Sequence, residues 1–142
     1  MTLFTWSKDQ SIHLPEIDAE HRGMVRLGME LHKSVLAGGQ VEQVKPILLN
    51  LMEAADDHFR HEERLMRVVR YSAFEWHKKQ HDTLRKRTRQ ILQRVEAGDK
   101  DAAMELLTFF NKWFADHMSV SDQMLGSFMR NYLRVHTNAL AS

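Results

Sequence analysis

The chain has no cysteine. That excludes disulfides, thiolate metal sites, iron–sulfur clusters and thiol nucleophiles together, and leaves nitrogen and oxygen as the ligand atoms. Charge of neither sign predominates: 20 Lys and Arg stand against 19 Asp and Glu, so no excess draws the chain to nucleic acid or to a membrane surface. Residues 1–17 carry Lys8, Asp9 and Glu16 and no continuous apolar run, which fits neither a secretory leader nor a membrane anchor. A cytoplasmic protein is expected. What the chain holds in quantity is histidine: 9 in 142 residues, with His58, His61, His77 and His81 close together.

The stretch His58-Phe59-Arg60-His61-Glu62-Glu63-Arg64-Leu65-Met66 organises the rest. Read as helix, His58 and Glu62 are four apart, so an imidazole and a carboxylate share one face. They belong to the ladder Val44, Leu48, Leu51, Ala55, His58, Glu62, Leu65, Val69, which steps by four and three as a buried helix seam does. An ionisable pair among Leu, Val and Ala is costly unless something compensates both groups.

The length of 142 residues suits one domain, able to bury about two thirds of its unfolded surface. Residues 1–16, with Leu3, Phe4 and Trp6, read as an N-terminal arm packed across a larger body. A first helix follows the ladder Ile17, His21, Met24, Gly28, Leu31, Val35 and stops at Gly38-Gly39, a pair suited to a left-handed C-cap. A second runs from Glu42 or Val44 to Val69, with Pro46 tolerable only because it lies near the start. A third follows Phe74, His77, His81, Leu84, Thr88, Ile91, Val95, and a fourth Ala103, Leu106, Phe110, Trp113, His117. Past His117 the pattern slips at Ser119-Val120-Ser121. A C-terminal helical tail resumes over 125–142 with Met124, Phe128 and Met129 nearby, and frays from Thr137.

No strand pattern competes, and the connections are short, so the expected fold is all-α: an up-down-up-down four-helix bundle with an N-terminal arm, forming a single domain over 1–142. In that topology the start of helix one, the end of helix two, the start of helix three and the end of helix four lie at one end. At about 1.5 Å per residue, His21, His58, Glu62, His77, His81 and His117 fall in one slab. A single seam histidine is an ordinary hydrogen-bonded core residue. Five of them with a buried glutamate point to a metal, because buried charges that persist are paired or coordinate metals. Asp122, five residues after His117, would lie about 140° away on a regular helix, which reads as a surface or capping position unless Ser119 to Ser121 loosen the turn.

With these residues assembled, the chain resembles the single-domain prokaryotic members of the hemerythrin family. The resemblance rests on Trp6, Ile17-Asp18-Ala19-Glu20-His21, His58-Phe59 with Glu62-Glu63 and Met66, Tyr71 leading to His77-x-x-x-His81, and Trp113-x-x-x-His117 followed by Asp122. The bundle topology is itself known from this family, so the two expectations are not independent. The resemblance implies a cofactor of two non-haem iron ions with a bridging oxo or hydroxo. His77, His81 and His117 would hold one iron, His21 and His58 the other, with Glu62 and Asp122 bridging. About eleven of twelve octahedral positions are then filled, and the open one, on the iron with two histidines, is where the family binds dioxygen. Departures from the family pattern are Glu20 where Gln is usual, Ala54 in place of an aromatic, Ser72 in place of Pro, and Met118 in place of Ile.

The expected function is reversible dioxygen binding by a monomer, not an enzymatic activity. The alternatives are oxygen or redox sensing through an unidentified protein partner, and turnover of peroxide or nitric oxide. Imidazole-rich pairs at spacing four differ from the Glu-x-x-His of oxygen-activating bundles, and neutral ligands disfavour high-valent states. Met24, Met66, Leu106, Phe110 and Trp113 are expected to line the oxygen pocket, though each also suits plain core packing. His61 reads as beside the cluster or on the surface; His13, His32 and His136 as solvent-facing; Arg85-Lys86-Arg87 with Arg89 as a solvated face; the 9 methionines as core filler.

Overall fold

A computed structural model describes residues 11–141, and side chains through residue 136; the expected arm residues Leu3, Phe4 and Trp6, and Ser142, lie outside it. The elements are α1 (Pro15–Leu36), α2 (Val41–Val68), α3 (Phe74–Glu96), α4 (Ala102–Asp116), a π-helical segment (His117–Asp122) and α5 (Gln123–Ala141). Among the described residues there is no strand, and no helix is long and apolar enough to cross a membrane. Neighbours in sequence pack in pairs and α1 closes on α4, which gives the up-down-up-down bundle.

Three helices end in the same way. After α1, Gly39 N–H donates to Ser34 C=O at 3.1 Å and Gly38 N–H to Val35 C=O at 3.2 Å, with φ +134° and +65° at Gly38 and Gly39. After α3, Asp99 N–H reaches Arg94 C=O at 3.0 Å across Gly98. These are Schellman ends. The end of α2 repeats the pattern with Arg70 at φ +54° and Tyr71 N–H on Met66 C=O at 2.9 Å. A non-glycine residue costs about 1 kcal/mol there, and in return the turn is fixed that carries Tyr71 into the core.

The core is divided. The larger apolar cluster holds Met24, Leu48, Phe59, Leu84, Leu106, Phe110 and Phe114; the smaller holds Met66, Val69, Tyr71, Leu125 and Met129. In α2, Glu62 and Glu63 fall between Phe59 of the larger cluster and Met66 of the smaller, and in α3, His77 and His81 fall between Phe74 beside the smaller and Leu84 of the larger, so a polar layer is sandwiched between apolar ones.

The C-terminal half departs from expectation in three ways. The buried face of α4 uses Phe114, 3% exposed, where the ladder had Trp113, which is half-buried. The slip at Ser119 to Ser121 is a π-helical turn, and the chain stays helical through Asp122 into α5. Helix persists to Ala141, past the expected fraying point at Thr137.

Residues 11–14 cross α5 before α1 begins. Asp18 accepts from Ser11 Oγ at 2.6 Å and from Ile12 N–H at 2.9 Å. Gln123 Nε2 donates to Ser11 C=O at 2.8 Å, and Arg130 donates to Ile12 C=O. Ile12 is wholly buried. Asp18, an acid in the first turn of α1, pins this crossing.

Candidate metal centre

The polar layer gathers His21 from α1, His58 and Glu62 from α2, His77 and His81 from α3, and His117 and Asp122 from the π segment. Each is at most 3% exposed. Asp122 arrives because a π turn accommodates an extra residue, so spacing five returns the carboxylate to the His117 side. On a regular α-helix it would point away.

The donor atoms converge in two sets. Nε2 of His81 and Nε2 of His117 are 3.2 Å apart, and Nε2 of His21 and Nε2 of His58 3.0 Å apart. Glu62 spans both sets: Oε1 lies 3.3 Å from His77 and 3.0 Å from His81, Oε2 3.6 Å from His58. Asp122 does the same, with Oδ1 3.2 Å from His77 and 3.1 Å from His117, and Oδ2 3.1 Å from His21. Glu62, His77, His81 and His117 offer ligand atoms within 4.8 Å of one another, as do His21, His58, Glu62 and Asp122.

The outer ring nitrogens explain why the inner ones face each other. His58 Nδ1 donates to Glu20 Oε1 at 2.7 Å, His81 Nδ1 to Glu63 Oε2 at 2.8 Å, and His117 Nδ1 to Gln80 Oε1 at 2.7 Å. An acceptor on Nδ1 keeps the proton there and leaves the Nε2 lone pair free. At His81 and His117, where both rings are held in this way, two lone pairs face each other at 3.2 Å, which is repulsive unless a proton or a cation lies between. Glu62 Oε2 and both Asp122 oxygens are buried without a hydrogen-bond partner; their approaches to the imidazoles lack hydrogen-bond geometry. Such orphaned acceptors are rare in a protein interior. Inward lone pairs and orphaned carboxylate oxygens fit a pair of cations with nitrogen and oxygen ligands.

In the metal-free cluster the buried acids and imidazoles hold one another's charge. Burial and the Asp122 charge push Glu62 up, but His58 and hydrogen bonds from His77 and His81 outweigh them and hold it at about 2. Burial pulls His77 down, yet Asp122 and Glu62 raise it to about 9. His117 is lowered, chiefly by burial.

Around the donors, Phe59 lies flat on His81 at 4.1 Å and Trp113 on His117 at 4.6 Å, while Phe114 meets His21 edge-on at 5.5 Å. Met24, Leu106 and Phe110 belong to the apolar cluster on this side, but Met66 lies in the other cluster, across the polar layer. A solvent-open groove of about 470 Å³ between α1 and α2 ends at His58, with Glu20, Gly23 and Ala54 in its wall.

Glu20, Glu63, Gln80 and Phe114 were not singled out by spacing, since each acts across a helix interface and local periodicity does not encode it. His61 falls between its two readings: it is 20% exposed and donates from Nδ1 to Glu20 at 2.8 Å. His13 and His136 are exposed and His32 is half-buried. Within the basic run, Lys86 and Arg89 are exposed, but the expected solvated face is wrong for Arg85, whose side chain is 17% exposed and bound to three carboxylates.

Comparison with known proteins agrees with this geometry. Residues 13–128 match the family described as Hemerythrin HHE cation binding domain. A Bacteriohemerythrin of Stenotrophomonas maltophilia is 28% identical over 141 residues, covering 99% of this chain and 88% of that protein. A Bacteriohemerythrin of Aquifex aeolicus is 29% identical over 116 residues, covering 78% and 88%. A crystal structure of a leucine-to-phenylalanine mutant superposes with a TM-score of 0.82 at 25% identity, covering 89% of this chain and 97% of that one.

Proposed function

The chain belongs to the hemerythrin family, and on that premise we propose that it binds dioxygen reversibly at a non-haem di-iron centre, for oxygen storage, delivery or buffering. One observation carries the reading: Glu62 and Asp122 each turn one oxygen to the three-histidine set and the other to the two-histidine set. His77, His81 and His117 would hold one iron and His21 and His58 the other, with the two carboxylates and an oxo or hydroxo shared between them. When bound, the iron pair supplies the electrons that dioxygen takes up and gives back.

The chain's own part is orientation and exclusion. Glu20, Glu63 and Gln80 fix three rings in the tautomer that presents Nε2 inward. Phe59, Trp113 and Phe114 press on ligand rings, with Phe110 stacked on Phe114 and Met24 in the same apolar cluster, which would limit water and proton access and so oppose irreversible oxidation.

A second reading is sensing. Asp122 sits in the π segment, which runs directly into α5, and the outer turns of α5 carry exposed Leu133 and Val135. A change in ligation at Asp122 would act on that helix. The test is optical: a stable oxygenated form supports binding, whereas sustained turnover of added peroxide or nitric oxide would replace it with an enzymatic reading.

A further inference from the structure

Arg85 reaches the three-histidine set through Glu63, without touching it. Its Nη1 donates to Glu63 Oε2 at 2.8 Å, and that same oxygen accepts Nδ1–H of His81 at 2.8 Å. Its guanidinium carbon also lies 5.3 Å from the centre of the Phe59 ring, which is stacked on His81 at 4.1 Å and 12°. The guanidinium is held in place by Asp56 at 2.9 Å and Asp82 at 3.0 Å. The corresponding carboxylate on the two-histidine side, Glu20, has only His58 and His61 as described ion-pair partners.

Resting on the di-iron reading above, we propose that Arg85 is a positioning residue that limits how much electron density His81 passes to the three-histidine metal position. A carboxylate that accepts Nδ1–H makes the imidazole a stronger donor through Nε2, which favours the more oxidised metal. A guanidinium on the same oxygen draws that charge away. His81 is restrained by Arg85 acting through Glu63; His58, whose Glu20 has no such cation among the described residues, is not. The two metal positions are therefore made unequal by their outer partners as well as by ligand number.

The test uses the iron-loaded full chain, reading iron content, midpoint potential, visible spectrum and rate of autoxidation. Arg85→Gln keeps two irons but lowers the potential, and autoxidation quickens, because a more strongly donating His81 favours the oxidised metal. Glu63→Gln moves the potential upward, because the accepting charge is gone. The double variant Arg85→Gln/Glu63→Gln matches Glu63→Gln alone, since Arg85 acts through Glu63; independent contributions would instead add. Arg85→Lys, which restores a charge without the fork, recovers part of the shift. An unchanged potential in Arg85→Gln with both irons retained overturns the proposal, as does an additive double variant, or loss of iron from Arg85→Gln while Glu63→Gln retains it. Absence of iron from the parent chain would defeat the di-iron reading itself.

Discussion

Two glycines in helices should respond to alanine with opposite sign. At Gly126, in α5, an added Cβ would stand 2.9 Å from Ile12 Cβ, 3.0 Å from Ile12 O and 3.1 Å from an Arg130 guanidinium nitrogen. The arginine end can swing away; the first two atoms are the crossing segment itself. Making room lifts Ile12, which is wholly buried and whose burial contributes about 2 kcal/mol. It also strains the hydrogen bonds of Ser11 and Ile12 to Asp18, at about 1 kcal/mol net in all. Alanine recovers about 1 kcal/mol of helix propensity, leaving a destabilisation of about 2 kcal/mol. At Gly23, in α1, an added Cβ meets nothing within 4 Å, so only the propensity gain of about 1 kcal/mol remains. In a thermal melt of the metal-free protein, Gly126→Ala should fall by about 6 °C and Gly23→Ala rise by about 3 °C. A melting temperature for Gly126→Ala at or above the parent value would refute the claim that residues 11–14 are clamped on α5.

Two more predictions concern the polar layer. In the metal-free protein, His77 is raised to about 9, so its stabilising contribution is complete below its ordinary value near 6.5 and is lost as pH rises through 9, on the order of 3 kcal/mol. Glu62, held at about 2, contributes fully above its ordinary value and loses that contribution only as pH falls through 2. Melting temperature should therefore decline from pH 6.5 to 9 without metal. The decline should vanish once iron replaces the proton on His77; the same slope in both forms would contradict this. Glu62→Ala should lower iron content and the thermal stability of the loaded protein together, because a site built from four helices couples metal binding to folding. Retention of two irons with an unchanged melt would count against Glu62 as a bridge.

The helices and the convergence of the histidines were legible because both follow from local periodicity. His21, His58, His77, His81 and His117 sit on four-three ladders, and short links between helices fix which ends meet. Asp122 was not legible from spacing alone: a π turn is a departure from the very period the reading uses, and only the family resemblance placed it at the site. Phe114 was missed in favour of Trp113 because the two are adjacent apolar residues at the edge of one seam. Arg85 was hidden for another reason. Its partners Asp56 and Glu63 are on α2 and Asp82 is on α3, and a basic run on one helix does not reveal acids facing it from the next. Ile12 was not singled out, as its burial depends on a crossing over Gln123, Gly126 and Arg130 of α5, more than a hundred residues away in sequence.

The most direct test of the metal centre is to load the metal-free protein with ferrous iron under anaerobic conditions, count the ions bound, then admit air and remove it while recording the visible spectrum. The account predicts two irons per chain and a charge-transfer band that appears with oxygen and disappears when oxygen is withdrawn. No uptake of iron, or a single ion per chain, would contradict the two-set geometry. Two irons with irreversible oxidation and no oxygenated form would contradict reversible dioxygen binding.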